Sequence, residues 1–497
     1  MKYQCPCCGY FTFPTPPEND IGYICPVCFW ESDKFIHSEE EKSACNHGLT
    51  LARARDNFRQ VGACEAAMVK NVRPPKEDEV VNGLIIGASS EALHTLEMAH
   101  RHGIHVTALD GDPEAEGLKA ADRAMVVNIS DEEKAIEAAR EATPEFVLTV
   151  PIGRYLTTVG AVNDALGLPG ISREMAVLCT DKYAFHQRLS SQGLRMCKCY
   201  KVWTDEQEVC LISGEGKRYS AAELEAAPEN VIKEMVPFPA ILKPRYGSGS
   251  RGIYFLNDKQ QLLEALPAVA GEDYVLEECA IGDEYGVDGA VADGKFYLVL
   301  LRKKENTPPP ARQAVGYYSV QPADSFYQQV REHLEKVVSC LGLQECLFHA
   351  DLIRSEKGPF VIELSARPSG HNLHNLFTPL CTGVDMAEEY MKYRQGQPYS
   401  FVPKETKAML IHYFDMEGQV SHVPDRAEAF LAAGGLLVEW KCNMKVGDVL
   451  APVSDGHSVM GRGYFVLKAA RNDSKENPVD YTEELKKKAE AVKSLFF

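Results

Sequence analysis

No run of this chain approaches the roughly 20 consecutive apolar residues that a bilayer-spanning helix needs, so membrane insertion is not expected. Basic residues are in deficit: 53 Lys and Arg against 71 Asp and Glu leave a net charge of −18, which argues against nucleic acid or another polyanion as a general partner. Internal repeats, low-complexity tracts and an apolar leader are all missing, so a reducing cytoplasm is the expected location. Two nucleotide-binding signatures are absent as well. No Gly-Lys-Ser/Thr opens a helix, and the turn Gly87-Ala88-Ser89-Ser90-Glu91 lacks the three-glycine spacing that lets backbone approach a dinucleotide pyrophosphate. What remains is a chain of 497 residues with ordinary hydrophobic (45%) and charged (25%) content, long enough for three or four domains.

Cysteine, by contrast, is plentiful, and its distribution is informative. Of 16 cysteines, seven lie before residue 65. Cys5 and Cys8 form one C-x-x-C knuckle and Cys25 and Cys28 another, with 16 residues between, a spacing that encloses a structural tetrahedral Zn²⁺ with four thiolates. Cys7 is an extra thiol: a bystander, a reactive group or a competing ligand. Arg53, Arg55 and Arg59 fall on one predicted helix, but Glu39, Glu40, Glu41 and Asp56 offset them, so a protein or substrate contact is expected there rather than nucleic acid.

Three later segments carry a different chemistry. Phe348-His349-Ala350-Asp351 and Phe360-Val361-Ile362-Glu363-Leu364-Ser365-Ala366-Arg367 read as a hairpin turning at Lys357-Gly358-Pro359, with Asp351 and Glu363 12 residues apart. Two carboxylates on adjacent strand ends suit Mg²⁺, and an arginine just beyond can clamp a phosphate; a plain hairpin with surface acids fits the same residues. Upstream, Lys243 ends an apolar strand and is followed by the Gly/Ser loop Gly247-Ser248-Gly249-Ser250-Arg251-Gly252, which can close backbone N–H groups over phosphates or be only a loose hairpin tip. Between these lies Tyr274 to Gly289, an apolar strand breaking into an acidic linker, where Glu277 and Glu284 could accept from a nucleoside or merely face solvent.

Taken in order, and together with Thr180-Asp181-Lys182 opening a predicted helix that runs to Gly193-Leu194, these segments resemble the ATP-grasp superfamily, in its carboxylate–amine ligase form. The resemblance implies ATP and one or two Mg²⁺ as cofactors. It implies that Lys182 and Lys243 contact phosphates, that Gly247 to Gly252 form the phosphate loop, that Glu277 and the Ala280 main chain meet adenine and that Glu284 meets ribose. Asp351 and Glu363 would hold Mg²⁺, and Arg367 would act in the transfer. Ser365 stands where the family usually has asparagine, which puts a second metal in question. Arg302 at a substrate carboxylate and His371 near the substrate are further candidates, though an ordinary surface arginine and a packed loop histidine fit as well. The amino-terminal cysteines, with Asn46 to Phe58 and Val72 to Pro75, resemble the small cysteine-rich CPCC domains.

The expected fold is α/β and multidomain: a zinc-ribbon-like CPCC domain over 1–75, a Rossmann-like domain preceding the grasp over 80–175, the ATP-grasp domain over 176–398 and a small α+β domain over 399–497. The second begins with a βαβ unit, Val80 to Gly87, Ser90 to His102 and Ile104 to Leu109, and the last carries β-hairpin pieces at 445–450 and 460–466 and a terminal helix with Lys486-Lys487-Lys488. The implied reaction is ADP-forming ligation of a small-molecule or peptide carboxylate to an amine. A biotin-carboxylase-like or formyl-phosphate-type enzyme and a non-catalytic ATP-binding adaptor are the alternatives, and a protein partner at the zinc module and a homodimer stay open.

Overall fold

A computed structural model describes the chain from residue 2 to 497, leaving out 205–207, 248–251, 309–311, 454–455 and 471–480. The described residues divide into two compact units: Met1–Pro151 with Ala161–Gly170 and Ala387–Tyr399, and Ile152–Gly160 with Ile171–Met386 and Ser400–Phe497.

The first unit starts with two short antiparallel ribbons, Tyr3–Gln4 with Phe11–Phe13 and Ile21–Ile24 with Glu31–Asp33. The helix Leu51–Val61 follows. The Thr50 hydroxyl accepts from the Arg53 N–H at its start, and Gly62, in left-handed conformation, ends it. A four-stranded parallel sheet comes next in the order Arg123–Val126, Ile104–Asp110, Val81–Ile86, Phe146–Val147. Its central strands are buried almost throughout, as the apolar runs around Leu84, Ile85, Val106 and Leu109 require of a sheet covered on both faces. Gly9 and Gly103 meet backbone to backbone, where a Cβ on either would collide with the other. Gln4 Nε2 donates to the His102 carbonyl at 2.7 Å.

The segment Ala387–Tyr399 belongs to this unit, although the sequence reading assigns it to the grasp region. The reason is local chemistry: the Arg394 guanidinium lies over the rings of Phe146 (5.6 Å) and Tyr393 (5.6 Å), and Gln395 Nε2 donates to the His102 carbonyl at 3.0 Å.

The second unit contains two large antiparallel sheets and a two-stranded ribbon. One has six strands in the order Arg218–Ser220, Val209–Ser213, Cys199–Thr204, Tyr274–Glu278, Ala240–Pro244, Tyr254–Leu256. Leu224, Ile232, Leu262 and Leu266, from three short helices, form its core with Leu211, Leu242 and Leu276. The other has eight: Gly358–Ser365, Cys346–Ser355, Asp283–Ala292, Lys295–Asn306, Ala314–Ser319, Met409–Tyr413, Gly463–Lys468 and Leu437–Cys442. The helix Ser325–Leu341 buries Phe326, Val330, Leu334 and Val337, the apolar stripe its spacing lays on one side.

The carboxy-terminal strands thus continue the sheet that carries the Asp351–Glu363 hairpin. Of the two expected hairpin pieces, Val449–Leu450 pairs with Gly418–Gln419, and Gly463–Lys468 lies between Met409–Tyr413 and Leu437–Cys442. The helix Thr482–Lys493 includes the three lysines.

Candidate functional site

The strands Cys346–Ser355 and Gly358–Ser365 pair with Asp351 opposite Glu363 and His349 opposite Ser365. Because side chains alternate along a strand and register partners project to the same side, these four groups share one face. His349, Glu363, Ser365 and Arg367 line an open cleft together with Lys182, Gly247 and Arg154.

Each charged member is set by its neighbours. Lys182 is the first residue of the helix Lys182–Ser191, whose N-cap, Asp181, accepts from the N–H groups of Tyr183 and Ala184. Its Nζ donates to the Gly247 carbonyl at 2.7 Å. Burial pushes this ammonium below the usual lysine range, and Glu363 partly opposes the shift. Asp351 is ion-paired with Lys304 at 2.6 Å. Burial would raise its carboxyl, but Lys304, then His349 and Arg302, hold it below the ordinary value. His349 is lowered to about 3, by burial first and by Arg367 next, so its imidazole is neutral near pH 7.

Several sequence-predicted residues have other partners than expected. Lys243 is buried, and its Nζ meets Glu277 Oε2 at 2.7 Å. The same Glu277 oxygen accepts from Arg195 Nη2 at 2.8 Å. Burial works against that carboxylate, but Arg195 and Lys243 lower it to about 2. The Glu277 side chain is therefore held by two cations through one oxygen, Oε2. Ala280 lies just beyond that strand, its carbonyl accepting from Cys279 Sγ at 3.6 Å. Glu284 accepts from Arg312 at 2.7 Å.

Arg302 is 2% exposed and forks onto Asp288, whose Oδ2 also accepts from the Thr378 hydroxyl at 2.6 Å. Both Nη groups of this guanidinium are held by Asp288, while its buried Nε has no partner among the described residues. His371 sits in left-handed conformation (φ 62°), and its carbonyl accepts from the Tyr413 hydroxyl. Gly247 (φ 111°) and Gly252 (φ 68°) both occupy backbone space that favours glycine; Ser248, Gly249 and Ser250 lie outside the described residues.

Four groups escape the sequence reading: Arg154, His349, Lys304 and Arg195. Arg154 is exposed at the cleft and rests on the neighbouring Tyr155 ring at 5.4 Å. Its surroundings Pro151-Ile152-Gly153-Arg154 held one signal, an arginine in a Gly/Pro turn just after an apolar strand. Lys304 and Arg195 find partners distant in sequence, and His349 keeps a buried Nδ1 with no hydrogen-bond partner among the described residues; none of the three carries such a mark.

In the first unit the Sγ atoms of Cys5, Cys8, Cys25 and Cys28 all lie within 4.8 Å of one another, and all four are buried. Cys5 and Cys28 Sγ are 3.5 Å apart, and Cys8 and Cys25 3.7 Å. Both knuckles turn alike: the N–H of Gly9 donates to the Cys5 carbonyl and that of Phe29 to the Cys25 carbonyl, each at 2.9 Å, with φ of 78° and 70° at the turning residues. The N–H groups of Val27 and Trp30 point at Cys25 and Cys28 sulfur at 3.4 and 3.5 Å. A tetrahedral ion with Zn–S bonds of about 2.3 Å requires sulfurs about 3.8 Å apart, which this cluster fits. Cys7 and Cys64 are buried in the same core. Of the arginines on the helix, Arg55 is bound to Glu39 at 2.6 Å and to the Pro6 carbonyl at 2.9 Å, and Arg59 pairs with Asp56 at 3.2 Å.

Comparison with known proteins agrees with this geometry. Residues 236–374 match the family model described as ATP-grasp domain, and residues 3–79 the one described as Cysteine-rich CPCC. Dapdiamide A synthase of Enterobacter agglomerans is 24% identical over 224 residues, 42% of this chain and 47% of its own length. Carnosine synthase 1 of Gallus gallus is 28% identical over 158 residues, 28% of this chain and 17% of its own length. The match therefore spans about half of the first relative and less of the second. The crystal structure of L-amino acid ligase from Bacillus licheniformis has a TM-score of 0.64 at 17% identity, covering 83% of this chain and 97% of that one. This chain has the α/β ATP-grasp fold, with an ATP-grasp domain at 236–374 and a cysteine-rich CPCC domain at 3–79.

Proposed function

We propose that this protein uses ATP to activate a carboxylate as an acyl phosphate and joins it to an amine, releasing ADP and phosphate. The observation that carries the reading is the convergence of Lys182, Glu363 and Arg367 in one cleft, with Asp351 opposite Glu363 in the hairpin register. The similarity to Dapdiamide A synthase and Carnosine synthase 1 supports it.

Two carboxylates in direct register are the hard oxygen donors that Mg²⁺ takes, so Asp351 and Glu363 would hold the ion. Bound there, Mg²⁺ would neutralise phosphate charge. Ser365 offers a hydroxyl toward a second ion. Lys182 and Lys243 supply point charges to the phosphates, the segment from Gly247 to Gly252 would serve as the phosphate loop, and Arg367 steadies the transferring group, so catalysis rests on positioning and electrostatics. The nucleoside contacts fall to the Ala280 main chain and Glu284, with Glu277 serving to orient Lys243. Arg154, exposed in the cleft, takes the substrate carboxylate in the place first assigned to Arg302, and His371 lies near that substrate. His349, neutral and beside Arg367, is suited to accept a hydrogen bond from the incoming amine.

The four cysteines hold a structural Zn²⁺, and the module they fold is a contact surface for a protein or substrate. Along the chain the domains run 1–75, 80–175, 176–398 and 399–497, except that Ala387–Tyr399 folds with the first unit, in a cytoplasmic enzyme that works on small-molecule or peptide substrates. The deciding experiment is a screen for ADP release over amino acids, dipeptides and small acids. ADP formation that needs both an acid and an amine is the expected result; AMP formation contradicts the acyl-phosphate route, and ADP release with bicarbonate or formate in place of the acid points to another reaction.

A further inference from the structure

We infer that Arg195 is a positioning residue that braces the two sheets of the second unit, so that a phosphate lysine on one and a metal-bearing hairpin on the other are held at a fixed spacing. The inference rests on the functional reading of Lys243 and Glu363 given above.

Arg195 stands between the helix Lys182–Ser191 and the strand Cys199–Thr204, and its side chain is 1% exposed. One arm of the guanidinium, Nη2, donates to Glu277 Oε2 at 2.8 Å, the oxygen that also receives Lys243 Nζ at 2.7 Å. The other arm, Nη1, donates to the Ile362 carbonyl at 3.1 Å. Glu277 is in the six-stranded sheet, whereas Ile362 immediately precedes Glu363 on the outermost strand of the eight-stranded sheet. The guanidinium plane is held by Phe360 at 4.8 Å and Phe185 at 5.7 Å, the latter on the helix that Lys182 begins. One side chain is therefore linked to three elements that carry proposed nucleotide or metal groups: Lys182 through Phe185, Lys243 through Glu277, and Glu363 through the peptide before it.

The chemistry explains why arginine stands here. A planar fork presents donors in two fixed directions at once, while a lysine ammonium on a flexible stem supplies one point charge. A lysine at 195 could still satisfy Glu277, but it could not also tie the Ile362 carbonyl and stack between the two rings. Were Arg195 present only to neutralise Glu277, the charge alone would suffice.

That difference defines the test. Wild type, Arg195→Lys and Arg195→Met are titrated with ATP alone and with ATP plus Mg²⁺ by calorimetry, with thermal melts in parallel. Wild type should bind ATP more tightly with Mg²⁺, by about tenfold or more, because both sheets then hold one ligand. Arg195→Lys should bind ATP alone within about twofold of wild type, yet lose most of the Mg²⁺-dependent gain. Adding Glu363→Gln to Arg195→Lys should cost little more, since the two changes break one coupled unit. Arg195→Met should weaken both titrations. If it does not fold, Arg195→Lys, which keeps a cation on Glu277, carries the test alone. A full Mg²⁺-dependent gain in Arg195→Lys would overturn the brace. A wild type that binds no ATP would overturn the functional reading itself, and the inference with it.

Discussion

The cysteine cluster and the cleft bury charge-bearing groups in opposite ways. In the cluster, four like groups face one another. Burial pushes the thiols of Cys5, Cys8 and Cys28 up, and Cys25 alone is pulled down, by hydrogen bonds from Cys28, Cys5 and Cys8. Around the cleft, four acids have a cation beside them: Glu277 has Lys243 and Arg195, Asp288 has Arg302, Asp351 has Lys304 and Asp181 has Arg245. The first arrangement needs a cation from outside to become four thiolates. The second is balanced within the protein, and a metal arriving at Asp351 must compete with Lys304.

The largest expected effect follows from the cluster. Cys25→Ser should remove the metal and unfold the CPCC module, because a structural Zn²⁺ contributes roughly 10–16 kcal/mol of apparent binding energy. Metal analysis should find about one Zn²⁺ per chain in the wild type and none in the variant. Intact zinc content in Cys25→Ser would mean that other ligands hold the ion, and the contrast with the cleft would fail.

For the balanced region, Asp288→Asn should destabilise the second unit by about 3–5 kcal/mol, since it strands a buried guanidinium. Denaturant unfolding measures this. A loss below about 1 kcal/mol would show that Arg302 finds relief elsewhere.

A smaller effect concerns Glu79, next to the zinc module, which follows the rule of the cleft. Arg73 binds it at 2.7 Å, and hydrogen bonding from that guanidinium, helped by the Lys76 N–H, lowers the carboxyl from 4.5 to about 2 despite its burial. Because the folded value is depressed, this contribution is complete above about pH 4.5 and is lost as pH falls toward 2. Partial exposure of Arg73 screens the pair, so Glu79→Gln should cost about 1–2 kcal/mol at pH 7 and flatten the acid limb of the stability curve. An unchanged acid limb would remove Glu79 from that account.

The smallest effect falls outside stability altogether. Arg154→Ala should leave the melting temperature unchanged and raise KM for the acid substrate about tenfold with ATP KM unaltered. Equal changes in both would place Arg154 away from the acid.

These regions also differ in how far they could be read from sequence. Cys5, Cys8, Cys25 and Cys28 are close along the chain and of one type, and Asp351 and Glu363 belong to one hairpin whose turn sets their register; such local geometry is written in spacing. The brace at Arg195 is different. Its partners are Glu277, 82 residues on, and Ile362, 167 residues on, and no periodicity marks an arginine whose two arms go to different sheets. The same holds for Arg302: at the end of an apolar run it looks ready for a substrate, but its strand pairs with the one carrying Asp288, and that carboxylate takes it. The βαβ unit was legible from alternating apolar runs and helical spacing. Placement of Ala387–Tyr399 was not, since it depends on Phe146 and His102, far away in the chain.

The proposal that Asp351 and Glu363 hold the ion through which this protein handles ATP is tested most directly by Glu363→Gln. The measurement is Mg²⁺-dependent ADP release from ATP, alongside ATP binding, with an acid and amine pair that supports turnover in the wild type. The variant should still bind ATP while ADP release falls at least about 100-fold. ADP release at the wild-type rate would contradict it.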